Sequence, residues 1–201
     1  MAEQLSFVPN RSAVLSMDCQ TGIVSIYTKN DSNFLERASS ILKQARTVGL
    51  TVIHVKVGFR PNLPEVSPRN LMLSAVKNHE GHRQLFEGDA GAIHPDVAVE
   101  ADDIVVVKHR ISAFSGTDLE MILRAKDIDT LILFGIATSG AVLATLLEAA
   151  DKDYRLVVVS DCCADLDEQL HNCLVEKIFR RQAIVITARD LVDVLKSVLP
   201  T

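Results

Sequence analysis

Residues 130–152 read TLILFGIATSGAVLATLLEAADK. The apolar run Thr130–Phe134 is broken by Gly135, Thr138, Ser139 and Gly140, after which Gly140–Lys152 carries apolar residues at helical spacing. A buried strand that turns sharply into an amphipathic helix is the repeating unit of a parallel α/β sheet. Leu131–Leu147 is the longest uncharged stretch of the chain, and the glycines and hydroxyls in its middle mark it as core rather than a membrane span.

The same unit recurs on both sides. Ser12–Met17, Thr51–Val57, Ile104–Val107, Leu156–Val159 and Ala183–Thr187 are further strand runs, and Asn33–Val48, Gly116–Lys126, Asp167–Arg180 and Ala188–Val198 have helical spacing. Six buried strands alternating with helices predict a three-layer, doubly wound α/β fold, with a mostly parallel sheet covered on both faces. The stretch from Gly58 to Asp103 differs, with Pro61, Pro64, Pro68, Gly81, Gly88 and Gly91 and no sustained period. Its length predicts a functional cover rather than an idle connection. No repeat, linker or second unit interrupts the pattern, so residues 1–201 are expected to form one domain.

With 201 residues and 48% hydrophobic content, such a domain can bury its core without metals or disulfides. A net charge of −5 argues against nucleic acid or an anionic membrane as partner. The pair Arg180-Arg181 reads as a solvated helix end. Cysteines at 19, 162, 163 and 173 form no CxxC or ligand spacing, and MAEQLSFVPNRS lacks the basic start and apolar stretch of a signal peptide. Reduced thiols and a cytoplasmic location are expected.

In open parallel sheets ligands bind beyond the carboxyl ends of the strands, at the switch in strand order. That rule selects Asp18, Gly58–Phe59–Arg60, Lys108 and the turn Gly135–Ala141. A lysine within reach of Asp18 would shift its proton affinity and ready it for proton transfer. In GIATSGAV, residues 135–142, small residues and a helix start could receive an oxyanion; a tight connection capped by Ser139 meets the same pattern. Neither GxGxxG nor GxxxxGK[ST] occurs, so no nucleotide cofactor is expected.

The segments VLSMDCQ (14–20), VVVKHRISAFSGTDLEMILR (105–124) and LILFGIATSGAVLATLLEAADKDYRLVVVSDCCAD (131–165) together resemble the isochorismatase-like, or cysteine hydrolase, family. The resemblance runs from about Ser12 to Ala164, and the remaining helices fit the same fold. It implies an Asp–Lys–Cys triad that hydrolyses small amides through a thioester, with Asp18 and Lys108 as its first two members. It also matches Ile136–Ala137 to a peptide that is commonly cis. The position of the cysteine, however, is Ala141, and none of the four cysteines replaces it by motif. Isochorismatases of the family also lack the cysteine, because acid can open a vinyl ether, although ATSGAV does not copy their YAH-type turn.

The expected substrate-facing residues are Gln20, Arg60, Phe114, Ile136, Ala137, Ser139 and Gly140; the chemistry of Arg60 and Arg110 offers forked donors for a carboxylate, and solvated side chains on a polar loop meet the same pattern. No metal is expected. Where amidases of the nicotinamide type carry Asp-x-His, this chain has VGFRPNLPE, His54 reads as core, and His79 and His82 read as loop decoration. The resemblance implies a homodimer or higher oligomer. The expected function is therefore a cysteine-independent hydrolase of a small molecule, acting on a vinyl ether or a C–N bond; the alternative is a non-catalytic member that binds a ligand or serves in assembly.

Overall fold

The computed structural model describes residues 6–198. Six strands, β1 (Ser12–Met17), β2 (Thr51–Val57), β3 (Ile104–Lys108), β4 (Thr130–Ile136), β5 (Arg155–Ala164) and β6 (Ile184–Ile186), form one sheet in the order β3-β2-β1-β4-β5-β6. Every neighbouring pair is parallel. The chain leaves β1 toward one edge and β4 toward the other, so the topological switch lies between these two central strands.

Every residue of β1 is buried. The edges are more open than the sequence predicts: Val105 and Val107, which alternation puts on one face of β3, and Ile184 on β6 are exposed, so the sheet is not fully covered there.

Around the sheet run α1 (Thr21–Tyr27), α2 (Phe34–Thr47), α3 (Leu71–Asn78), α4 (Glu80–Gln84), α5 (Leu119–Ala125), α6 (Leu143–Asp151), α7 (Glu168–Cys173) and α8 (Ala188–Ser197). Helix α2 buries Phe34, Ala38, Ile41, Leu42 and Ala45, one stripe at helical spacing. Each large member of that stripe contributes about 1.5–3 kcal/mol by leaving water. Helix α8 packs against α2 and starts with a capping box between Thr187 and Asp190. Right-handed crossovers that leave the switch in opposite directions put α2 and α6 on opposite faces.

Three helices depart from the sequence reading. Helix α1 is rich in β-branched residues, which disfavour helix locally, and forms because Ile23 and Val24 are buried against the core. Helices α3 and α4 lie inside the Gly58–Asp103 cover, where Asn70 caps α3 by accepting a bond from the Leu73 amide. There Leu63, Val66 and Leu73 make a small core of their own, with Phe59 and Val76 against it. Among the described residues, no helix is long and apolar enough to cross a membrane.

Candidate active site

Asp18 follows the last residue of β1 with φ 55°, a left-handed conformation that Asp tolerates better than most residues. Its amide donates to the Val55 carbonyl at 2.8 Å, fixing the turn to β2. Lys108 ends β3, paired in register with Val57. Its Nζ lies 2.9 Å from Asp18 Oδ2, with side-chain exposures of 3% and 7%. The ammonium also donates to the carbonyls of Ile111 at 2.9 Å and Arg110 at 3.3 Å, so all three of its hydrogens have acceptors.

Asp18 is less well served. Its Oδ1 is buried and has no hydrogen-bond partner. Burial pushes the carboxyl's pKa up, and the charge and hydrogen bond of Lys108 offset part of that rise. The result is a buried acid with one oxygen in a salt bridge and the other unengaged.

Across the switch, β4 ends against β1 at Gly135, φ 136°, where a Cβ would come within 2.0 Å of the Met17 carbonyl oxygen. Only glycine allows this approach. The Ile136–Ala137 peptide is cis, as the resemblance implies. Thr138–Val142 then form a wide π-type turn in which the amides of Gly140 and Val142 both donate to the Ala137 carbonyl, at 3.1 and 3.2 Å. Ala141 is buried in this turn.

Ser139 is not a side-chain cap: its amide donates to Asp165 Oδ2 at 2.7 Å. The negative charge that the turn's amides can receive is thus supplied in part by the protein itself. Thr138 Oγ1 lies 2.8 Å from His171 Nδ1. Burial lowers the His171 pKa, against the pull of Asp165 and Glu168. Burial and the charges of Asp165 and Asp18 raise that of the Tyr27 phenol. Tyr27, Asp165 and His171 are absent from the sequence reading. Asp165 lies just past the carboxyl end of β5, where the strand-end rule selects it once the strand extends to Ala164.

Other expected residues stand elsewhere. Gln20 is fully buried; its Nε2 donates to the carbonyls of Val57 and Gly91, and its Oε1 accepts from the Val57 amide. It ties β2 to the cover, and both of its amide hydrogens are engaged within the protein. Phe114 is a core residue, its ring 5.9 Å from that of Tyr154 beyond the far end of α6. Arg110 turns inward, with Nη1 donating to the His109 carbonyl at 2.7 Å and Nη2 to the Glu65 carbonyl at 3.0 Å. Arg60 is exposed and, with Phe59, Leu63, Arg83 and Phe86, lines a cavity of about 320 Å³ in the cover. Neither Asp18 nor Lys108 lines that cavity.

The thiols fit a structural role. Cys19, Cys162 and Cys163 are buried, and burial pushes the thiols of Cys19 and Cys163 up to about 12 and that of Cys162 up as well. His54 is buried, 3.2 Å from Asp103. His79 and His82 face one another on the cover, with ring centroids 5.3 Å apart. Among the described residues, no three His, Cys, Asp or Glu side chains are grouped to hold a metal ion.

Residues 12–190 match the family model for the isochorismatase domain. The chain is 27% identical to a maleamate amidohydrolase of Pseudomonas putida over 191 residues, covering 92% of this chain and 87% of that one. It is 28% identical to an isochorismatase of Bacillus subtilis over 192 residues, covering 94% of this chain and 59% of that one. Among solved structures, an isochorismatase family protein of Burkholderia thailandensis superposes with a TM-score of 0.79 at 27% identity, covering 96% of this chain and all of that one.

Proposed function

Since this chain belongs to the isochorismatase family, we propose that it is a small-molecule hydrolase in which the Asp18–Lys108 pair moves the proton and no cysteine acts as nucleophile. The observation that carries this reading is the state of Asp18: buried, salt-bridged through Oδ2, unpartnered at Oδ1, and raised in proton affinity. Burial of this kind favours the protonated carboxyl, the form that a general acid needs.

With an enol ether as substrate, Asp18 gives its proton to the methylene carbon. Water adds to the resulting oxocarbenium ion, and its released proton returns to the Asp18 carboxylate, which Lys108 stabilises in the interval. The hemiketal then breaks its bond to the leaving oxygen and yields an alcohol and a carbonyl compound, so that one water is consumed overall. With a C–N substrate the same carboxyl must first be ionised: it takes a proton from the water that attacks the carbonyl carbon and returns it to the nitrogen as the C–N bond breaks, giving a carboxylic acid and ammonia or an amine. Lys108 favours the ionised form and burial the protonated one. The relatives span both chemistries, an isochorismatase and a maleamate amidohydrolase.

The test is turnover of isochorismate, maleamate, nicotinamide, N-carbamoyl compounds and simple amides by the native protein beside Asp18→Asn. The expected outcome is hydrolysis of one class, reduced roughly 10²–10⁴-fold in the variant. If Asp18 acts as an acid, kcat/KM falls as pH rises through its pKa; if it acts as a base, kcat/KM falls as pH drops. Absence of turnover with ligand binding intact would favour a binding protein, the reading that Ala141 supports.

A further inference from the structure

We propose that Arg110 is a positioning residue for Lys108 and, through it, for Asp18. The inference rests on the reading of Asp18 and Lys108 as the working pair. Two of the three acceptors of the Lys108 ammonium are carbonyls of the turn that follows it, those of Arg110 and Ile111. The direction in which the ammonium points is therefore set by the path of residues 109–111. That segment is neither helix nor strand, so no ladder of backbone bonds fixes it and its anchors are side chains.

The far anchor is on α6, where Ser112 Oγ donates to Glu148 Oε2 at 2.6 Å and Thr145 Oγ1 accepts from the Ala113 amide at 3.0 Å. The near anchor is Arg110. Its guanidinium bridges the turn's own His109 carbonyl and the Glu65 carbonyl in the cover. Glu65 is itself held: its Oε1 accepts from the Arg60 amide at 2.8 Å and lies 3.5 Å from His109 Nδ1. The His109 ring nitrogen also meets the Gly58 carbonyl, and the Gly58 amide donates to the Lys108 carbonyl at 3.1 Å. The cover and the turn are thus stitched together on both sides of Lys108.

A guanidinium reaches two carbonyls at once with a rigid planar fork, which a lysine ammonium on a flexible stem does not reproduce. Loss of that fork frees the carbonyls of residues 110 and 111 to drift. Displacements of about 1 Å in such supports reduce turnover roughly 100-fold.

The experiment compares Arg110→Met, which keeps the aliphatic stem and removes both donors, with Arg110→Lys. Water exchange of the Lys108 ammonium hydrogens is followed by ¹⁵N NMR, the signal being assigned by its loss in Lys108→Met. Both Arg110 variants are expected to speed that exchange about tenfold or more and to lower kcat roughly 10–100-fold, with KM nearly unchanged. Unchanged ammonium exchange, or a raised KM with kcat intact, overturns the proposal, the latter making Arg110 a substrate ligand. Loss of fold in both variants overturns it too, in favour of a general scaffold role. The exchange measurement needs no substrate, so it still reports on Arg110 if the native protein hydrolyses nothing and the hydrolase reading fails.

Discussion

Asp18 and Asp103 both have buried carboxylates paired with a cation, at opposite ends of β1 and β3, the two strands that flank β2, and their surroundings differ in donor count. Asp103, just before β3, accepts from Arg46 through both oxygens (2.5 and 3.2 Å), from the Glu100 amide (2.8 Å), and lies 3.2 Å from His54 Nε2. Burial pushes its pKa up, yet these donors together hold it below its ordinary value. Asp18 has Lys108 and an oxygen with no partner, and burial prevails. A carboxylate saturated by donors is fixed in one charge state and serves the fold. One short of donors can change its charge at low cost and is available for chemistry.

The sharpest way to break this contrast is to make the same change at both places. Asp103→Asn leaves Arg46 and His54 facing an amide that also brings donors, so a stability loss of about 3 kcal/mol is expected by urea unfolding. Asp18→Asn leaves the buried Lys108 ammonium without its counter-charge, but it removes a carboxylate whose burial is itself unfavourable and keeps an oxygen for Lys108, so a smaller cost, about 1 kcal/mol, is expected. Equal losses would mean that the Asp18–Lys108 pair is also structural, and the donor-count argument would fail.

The second effect is smaller and depends on pH. Burial lowers the His54 pKa below its ordinary 6.5, so the native state takes up this proton less readily than the unfolded chain, and stability falls as pH drops below about that value. The depressed Asp103 adds stability that is present above its ordinary 3.8 and is lost as pH falls through its lower native value. Asp18 has the opposite sign. Its raised native pKa makes the ionised form a burden on the fold at neutral pH, which protonation relieves. Unfolding curves from pH 8 to 3 should therefore show native stability declining on acidification, with the cost of Asp18→Asn relative to the native chain growing in the same direction. A cost that shrinks on acidification would reverse the assignment of Asp18.

The two regions were not equally legible. β1 and β2 lie where the apolar runs predict, since both are flanked and covered and their sequences show it. β5 runs five residues beyond Val159 because Ser160 and Asp161 find partners: Ser160 Oγ donates to the Ile186 carbonyl, and Asp161 Oδ1 accepts from the Ala188 amide. Polar residues satisfied by distant neighbours look like a strand end in the sequence, and that hid Asp165. Asp18 and Lys108 were legible because strand-end placement and the family wording agree. The role of Arg110 was not, because an arginine on a polar segment gives no sign of whether it turns outward or in. Phe114 shows the same ambiguity: it is buried in the core beside Tyr154 and Lys152.

The smallest expected effect tests whether the donor-poor neighbourhood of Asp18 extends to its thiols. At Cys19, burial is the chief cause of the rise to about 12; a hydrogen bond with Ser16 opposes it, and the charge of Asp18 adds to it. A thiolate there is doubly disfavoured, by the same desolvation that raises Asp18 and by the carboxylate that the desolvation leaves poorly screened. Cys162 and Cys163 are raised chiefly by burial, while Cys173 is exposed. Of the four cysteines, one is therefore expected to react rapidly with Ellman's reagent at pH 8 in the native state, and all four after unfolding. Iodoacetamide should leave turnover of any substrate found in the panel unchanged. Inactivation that tracks modification of a buried thiol would show that a cysteine takes part in catalysis after all, and would return Asp18 to the part of a base serving a thiol.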